Sequence, residues 1–477
     1  MQYGREGPAR AAVFPDPLML TKHRMRLHTH ALLIALCLWT DSGAVAELAA
    51  PSLSLDEALT TALERHPSLK RLGEEGLAAE AREEVAKSAF FPRVTLEALG
   101  KEGPSSAPGF GFRGLTNSTI VQNAGASVVL EQMIFDFGRA HHRTAASRWL
   151  TGAAKTQVQS QRALVILEVY RAYFRALLAQ QLVELAQENL SARETIVKQA
   201  EARAKAGLTS RVDEGLARAS LAEAQVGLVH ARNETQNAFA ELNNAMGVVG
   251  APSYRLGEPP PEAQPASDTR ATALEQDLSR ALQQRPEMQA LHRHIQAAAE
   301  QAEAAQAEGR PLVRALGSVG YLNAPDEFGD DRVWAVGLSL SYPLFTGGQV
   351  EGEVSSARHR EAALQAARDE LAQAIRLQVA QARMAFDALT QSRPAIAEQL
   401  TYARDSVKLA TQRYREGLGD FLELQQAQLG LVTAEASAAR VRYDLITAEA
   451  ALRYALGTLA VAPGSNTASG KLEAPAR

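Results

Sequence analysis

Two histidine clusters are the first candidates for chemistry. His141-His142 and His292-x-His294 offer imidazole nitrogens of the kind that hold a metal ion. Neither forms an i, i+4 pair on one helical face, and neither carries an H-E-x-x-H signature, so both read as surface histidines. Glu74-Glu75 and Glu83-Glu84 could in principle supply paired carboxylates for acid–base work. Side by side in helical text they point different ways, which marks solvated faces. The pattern G-x-S-x-G and the phosphate-binding P-loop are absent, and Phe345-Thr346-Gly347-Gly348 reads as a strand-to-helix corner. No catalytic constellation, metal site or cofactor site emerges. The acids worth keeping are Asp213 and Glu423, because each follows a glycine by six residues at matched places in the chain, after Gly207 and Gly417.

The leader bears on where such residues would act. Residues 1–24 show no periodicity, but from Met25 a positive residue, Arg26, precedes an apolar run from Ala31 to Trp39 and an Ala44-Val45-Ala46 site. This is the pattern of a secretory signal cleaved after Ala46, with Met25 or Met1 as the start, and the apolar run is too short to span a membrane as a helix. Cys37, the only cysteine, lies inside that signal behind Leu36. The mature chain therefore carries no thiol and no lipid anchor. The net charge of −4 leaves no basic footprint for nucleic acid. Aromatics are 5% of a chain that is 46% hydrophobic, a balance that favours long helices over large globular cores.

Stepping through the chain reveals a duplication. Leu55–Leu69 answers Leu274–Met288 with Pro67 over Pro286, and Pro92 lies over Pro311, both at an offset of 219. Gly138 over Gly348 and Gly207 over Gly417 give 210. The nine extra residues fall in one Gly/Ser/Pro-rich loop between the two strands of the first repeat. The repeats are expected at 52–250 and 272–460, joined by an irregular connector at 251–271 and followed by a disordered tail at 461–477. Each is expected to run helix, strand, loop, strand, very long helix, tight turn, long helix. Gly138 to Gly207 and Gly348 to Gly417 are both 69 residues, roughly 100 Å if helical, and Pro394 predicts a kink in the second. After each turn comes a heptad stripe. Leu424, Leu431, Ala438, Leu445 and Leu452 are followed three behind by Ala427, Ala434, Val441, Ala448 and Ala455. The first repeat carries Ala217, Ala224, Ala231, Ala238 and Ala245 with Leu221, Leu228 and Leu242. A strict seven-residue period with alanine seams predicts closely packed, supercoiled helices.

The strands alternate. Trp334, Val336, Leu338, Leu340 and Tyr342 fall on one side, and Ala335, Gly337, Ser339 and Ser341 on the other. An apolar face about ten residues long, edged by Trp and Tyr, is the pattern of a membrane-spanning β-strand, and the small polar face suits a water-filled lumen. Residues 126–137 read as the equivalent strand, although Gln132 breaks its apolar face. Two strands per repeat give four per chain, too few to close a barrel with a lumen, so several chains must share one.

The duplicated plan, Leu130–Arg139 with Val336–Val350, and the paired turns at Ala206–Asp213 and Glu416–Glu423 resemble the TolC family of outer-membrane efflux proteins, over roughly Leu53 to Leu459. The resemblance implies an α+β membrane protein, a homotrimer whose twelve-stranded barrel in outer-membrane lipid is continued by a periplasmic α-helical barrel. It also implies docking to a periplasmic adaptor and an inner-membrane transporter of RND or ABC type, in the service of efflux or type I secretion. The turns Gly207-Leu208 and Gly417-Leu418 match the family's periplasmic tip, where the adaptor is met. Asp213 and Glu423 match its entrance acids and would sit in the first turns of the returning helices. Two positions depart from the pattern: Gln426 stands where a second acid is expected, and Gly419 where an arginine is. A periplasmic coiled-coil scaffold or adaptor without a pore is the alternative. It explains the helices but not the strands, and the compact β domains of adaptors are missing. An envelope hydrolase lacks any site.

Overall fold

The protein is described by a computed structural model covering residues 52–101, 110–111, 119–120, 123–207, 210–250, 252–257, 272–322 and 332–459. The signal, Ala46, Cys37, Leu208 and the tail at 461–477 lie outside the described residues. The first half comprises β1 (Ser52–Leu53), α1 (Leu55–Arg65), α2 (Pro67–Lys87), β2 (Arg93–Lys101), β3 (Phe110–Gly111), β4 (Thr119–Ile120), β5 (Asn123–Phe135), α3 (Arg139–Lys205) and α4 (Arg211–Met246). The second comprises β6 (Arg255–Leu256), α5 (Thr272–Gln284), α6 (Pro286–Ala307), β7 (Leu312–Leu322), β8 (Arg332–Ser341), α7 (Gln349–Glu416) and α8 (Phe421–Ala455).

Each half opens with two helices rather than the single one expected. His66 and Arg285, the residues before Pro67 and Pro286, are extended at ψ 123° and 127°. A residue before proline is pushed out of the helical region, and proline itself sits comfortably at the first helical position. The connector is also less irregular than expected, since Arg255–Leu256 pairs in parallel with Ser52–Leu53. The extra loop of the first half contains the β3–β4 antiparallel pair. The helix α7 runs on through Pro394, which leaves the Thr390 carbonyl without its intrahelical donor.

The helices form a wall of four columns. Contacts along α3 place α2 on its first half, through Arg148–Glu83 (3.6 Å) and Lys155–Glu80 (2.7 Å), and α4 on its second, through Arg175–Glu241 (2.7 Å) and Arg218–Glu201 (2.9 Å). Helices α6 and α8 follow one another in the same way between α3 and α7. The joints are glycines. A Cβ on Gly247, which follows α4 at φ +68°, would lie 2.9 Å from the His66 Cα, and one on Gly457, after α8 at φ +74°, would lie 3.1 Å from the Arg285 backbone N. Each half-length helix therefore ends against the kink that starts the next one.

Burial follows the heptads. Ala217, Ala238, Leu242, Leu424, Ala434, Leu445 and Ala455 are buried, and the main core gathers Val165, Tyr173 and Phe174 of α3 with Met246 and Tyr443. The inner column α3 is covered on both flanks, whereas α7 buries only Ile375, Val379, Ala410 and Tyr414. Exposed Val226 and Val229 of α4, and Leu377 and Leu409 of α7, lie on the two outermost columns.

The strands form one antiparallel sheet in the order β2-β5-β7-β8. Pro92 and Pro311 stand just ahead of β2 and β7, where helix gives way to strand.

Candidate functional site

The register assembles one apolar face across all four strands. Leu96, Val128, Val319 and Trp334 form one row, and Val94, Leu130, Gly317 and Val336 the next. Leu338 and Leu340 continue it opposite Ala315 and Val313. Trp334, Val336, Leu338 and Leu340 are 71–81% exposed, and Tyr342, just past the end of β8, is exposed as well. A contiguous apolar face of this kind does not persist in water without a covering. The other face carries Thr95, Ser127, Ser318, Ala335 and Ser339 with an Arg314–Glu131 pair at 3.2 Å. Gln132, which breaks the alternation, sits beside the register shift at Met133/Phe135, and its amide is spent on the carbonyls of Phe90 (3.1 Å) and Met133 (2.8 Å). It therefore adds a bulge at the base of the sheet and leaves the apolar rows intact.

Both sheet-to-helix corners turn through the left-handed region, at Phe137-Gly138 and Gly347-Gly348. Phe137, at φ +55°, is the only non-glycine there among the described residues. Asp136 holds its corner, accepting from the N–H groups of Gly138 (3.1 Å) and Ala140 (2.6 Å).

At the opposite end of the long helices, Gly207 and Gly417 take φ +71° and +79°, which a sharp helix reversal requires and glycine supplies without strain. The Gly417 turn is closed by the N–H groups of Leu418 and Gly419 donating to the Arg413 carbonyl at 2.8 and 3.1 Å. Asp213 and Glu423 are in the first turns of α4 and α8, as expected. The side chains that cap those turns are others: Ser210 accepts from the Val212 N–H (3.1 Å) and Asp420 from the Glu423 N–H (2.7 Å). Glu423 pairs with Arg413 at 3.0 Å, and its carboxylate lies where a Cβ on Gly419 would go, 2.9 Å away.

Two turn residues escaped the sequence reading. Arg203 of α3 donates to the Tyr414 carbonyl of α7 at 2.5 Å, and its guanidinium lies 5.0 Å over the Tyr414 ring. Burial pushes the Tyr414 phenol up, with Asp213 adding to that and Arg203 opposing it. Arg203 thereby ties the two helical hairpins together over a small core of Ile196, Ala200, Tyr414, Phe421 and Leu424. The available signal was a basic residue in a last helical turn, which does not reveal a partner 211 positions away.

The remaining candidates disperse. His141 and His292 are exposed, His142 bonds Glu300 at 2.7 Å, and His294 is half-buried, which lowers its pKa. Among the described residues no cluster of potential metal ligands forms. Glu75 pairs with Arg71 on the surface, but Glu83 corrects the solvated-face expectation. Its side chain is only 15% exposed and is held by Lys87 at 3.0 Å, which pulls its carboxyl below the ordinary value. No described helix is long and apolar enough to cross a membrane.

Residues 58–248 and 278–458 match the family model described as outer membrane efflux protein. Protein CyaE of Bordetella pertussis is 29% identical over 418 residues, covering 86% of this chain and 84% of CyaE. The alkaline protease secretion protein AprF of Pseudomonas aeruginosa is 27% identical over 445 residues, covering 89% of each. A crystal structure of a membrane protein from Pseudomonas aeruginosa superposes with a TM-score of 0.73 at 22% identity, over 84% of this chain and 90% of that one, and shares the fold. Duplicated helical hairpins, a four-stranded sheet with a bare apolar face and these matches place the chain in the outer membrane efflux protein family, whose members are efflux and secretion channels of the Gram-negative outer membrane.

Proposed function

We propose that three copies of the chain form one exit duct, with four strands from each building a twelve-stranded barrel and four helical columns from each continuing it through the periplasm. The observation that carries this reading is the sheet. Its apolar face is bare and its two edge strands, β2 and β8, have no partner on their outer sides among the described residues. Unpaired edges cannot stand in a membrane, so each β8 pairs with the next copy's β2. The columns agree with this, because α4 and α7, the outermost columns that the next copies would adjoin, both carry exposed apolar side chains.

In this reading the repeats span 52–250 and 272–460, the mature chain begins at Glu47, and Leu338 and Leu340 face lipid while Ser339 and Ser341 face water. The duct is passive and has no catalytic role. A periplasmic adaptor meets the turns at Gly207-Leu208 and Gly417-Leu418, and an inner-membrane transporter of RND or ABC type delivers the cargo. Asp213 and Glu423 stand at the entrance. Purified protein should run as a heat-stable trimer and give stepwise single-channel currents in a planar bilayer. A monomer that gives no current would sink the proposal in favour of a pore-less scaffold.

A further inference from the structure

At the base of the sheet, on its inner face, the end of α2, the adjoining ends of β2, β5 and β7 and the first turn of α3 enclose an open cavity of about 510 Å³. Four arginines line it, Arg93, Arg139, Arg143 and Arg314, together with two acids, Glu131 and Asp136. The acids are already committed. Both oxygens of Asp136 accept backbone N–H groups at the start of α3, and Glu131 pairs with Arg314. Arg143 is taken by Glu308. Among the described residues Arg139 donates only to neutral carbonyls, those of Ala307 (3.3 Å) and Glu308 (3.0 Å), and its buried Nε has no acceptor. Arg93 is exposed and stands opposite Glu131 in the β2–β5 register, whose carboxylate is held by Arg314.

A buried N–H without an acceptor is unfavourable, and the guanidinium of Arg93 on the same cavity wall favours an acceptor that is charged. Apart from Ser88, the rest of the wall is apolar, with Val85, Phe91, Met133 and Leu312 among its residues. The cavity volume falls within the roughly 300–1,000 Å³ typical of small-molecule sites. We infer that this cavity binds a small amphiphilic organic anion, with its carboxylate or phosphate on Arg93 and Arg139 and its apolar body against Phe91 and Met133. The site's meaning for transport rests on the duct reading: if the inner face is the lumen, anionic cargo is held at the step from helices to sheet.

The probe is 1-naphthoate, titrated into the full-length protein in a non-ionic detergent, with neutral 1-naphthylmethanol as control. Naphthoate should bind once per chain, and the alcohol at least about tenfold more weakly, the worth of one charge-assisted hydrogen bond. Arg93→Gln should weaken naphthoate by a similar factor while Arg93→Lys retains most of the affinity. Met133→Trp, which fills the cavity from its apolar side, should abolish binding and guards against a folding defect in the first variant. In a planar bilayer naphthoate should reduce the wild-type current and spare that of Arg93→Gln. Equal affinity for the alcohol, or indifference to Arg93→Gln, overturns the assignment. Arg93-dependent binding by a protein that conducts nothing would sink the duct and keep the site; a conducting pore that binds no naphthoate would do the reverse.

Discussion

Arg285 is 4% exposed where the α5–α6 kink meets the end of α8. It reaches Glu287 at 3.3 Å and Gln378 at 2.7 Å, and its guanidinium lies 5.2 Å over the Tyr454 ring. Burial alone pushes the Glu287 carboxyl up, but its own backbone N–H, the Arg285 charge and Ser160 outweigh that, and the net pKa lies below the ordinary 4.5. Glu287 therefore contributes stability above pH 4.5 that is lost as the pH falls through its lowered folded pKa. Arg285→Ala leaves a half-buried carboxylate without its cation and deprives Gln378 of its donor. Breaking one side of a buried pair costs roughly 3–5 kcal/mol, and the side chain of Glu287, a quarter exposed, puts this case near 3. Once Arg285 is gone, its charge and its hydrogen bond no longer hold the Glu287 pKa down, so that pKa rises from its lowered folded value, and the deficit should be largest at neutral pH and shrink towards pH 4. The assay is guanidinium-induced loss of helical circular dichroism in detergent at pH 7 and pH 4. Adding Glu287→Gln should recover most of the loss at pH 7. A deficit equal at both pH values, unrepaired by the second substitution, would show that Arg285 acts by packing alone and would refute the electrostatic reasoning.

Leu338→Arg should cost roughly 2–4 kcal/mol and impair trimer assembly in membranes, whereas Ser339→Arg should assemble and change conductance; equal damage at both would mean the faces are assigned wrongly. Glu423→Gln should lower cation selectivity only modestly, read as a reversal potential, because Arg413 already neutralises part of that charge, and Arg413→Gln should raise it. No change in potential or in multivalent-cation block with either variant would leave Glu423 a helix-start acid. Gly247→Ala should lose roughly 2–3 kcal/mol of stability from backbone strain and collision with His66, against ~1 kcal/mol for Gly207→Ala, which has the same φ sign and open space; equal losses would remove the joint as a packing feature.

The duplication was legible because prolines and glycines repeat at fixed offsets and each has a backbone reason to be where it is. The sheet faces were legible because alternation at period two survives even where Gln132 interrupts it. The break at Pro67 and Pro286 was written in the chain as well, in the residue before each proline, and one helix was expected where two form. The pairing of Leu53 with Leu256 had no local mark, since two residues on each side carry no periodicity. Arg203, Arg285 and the Arg413–Glu423 pair were illegible for a related reason. A guanidinium is at home on any helix surface, and only the folded chain decides whether a carboxylate, a carbonyl or a ring lies within its reach.

The wall combines two uninterrupted struts, α3 and α7, with two that are cut at Gly247 and Gly457. A cut strut is a lever with its fulcrum at the waist. The α4 arm has 36 residues and is therefore about 54 Å long, so a swing of about 5° at its glycine carries the far turn by roughly 5 Å while the upper wall stays still. The continuous struts resist that swing by bending along their whole length, and Arg203 latches them together where the displacement would be greatest. Small adjustments at the waist are thus magnified at the Gly207 and Gly417 turns, and the stiffness of α3 and α7 sets how far those turns can travel.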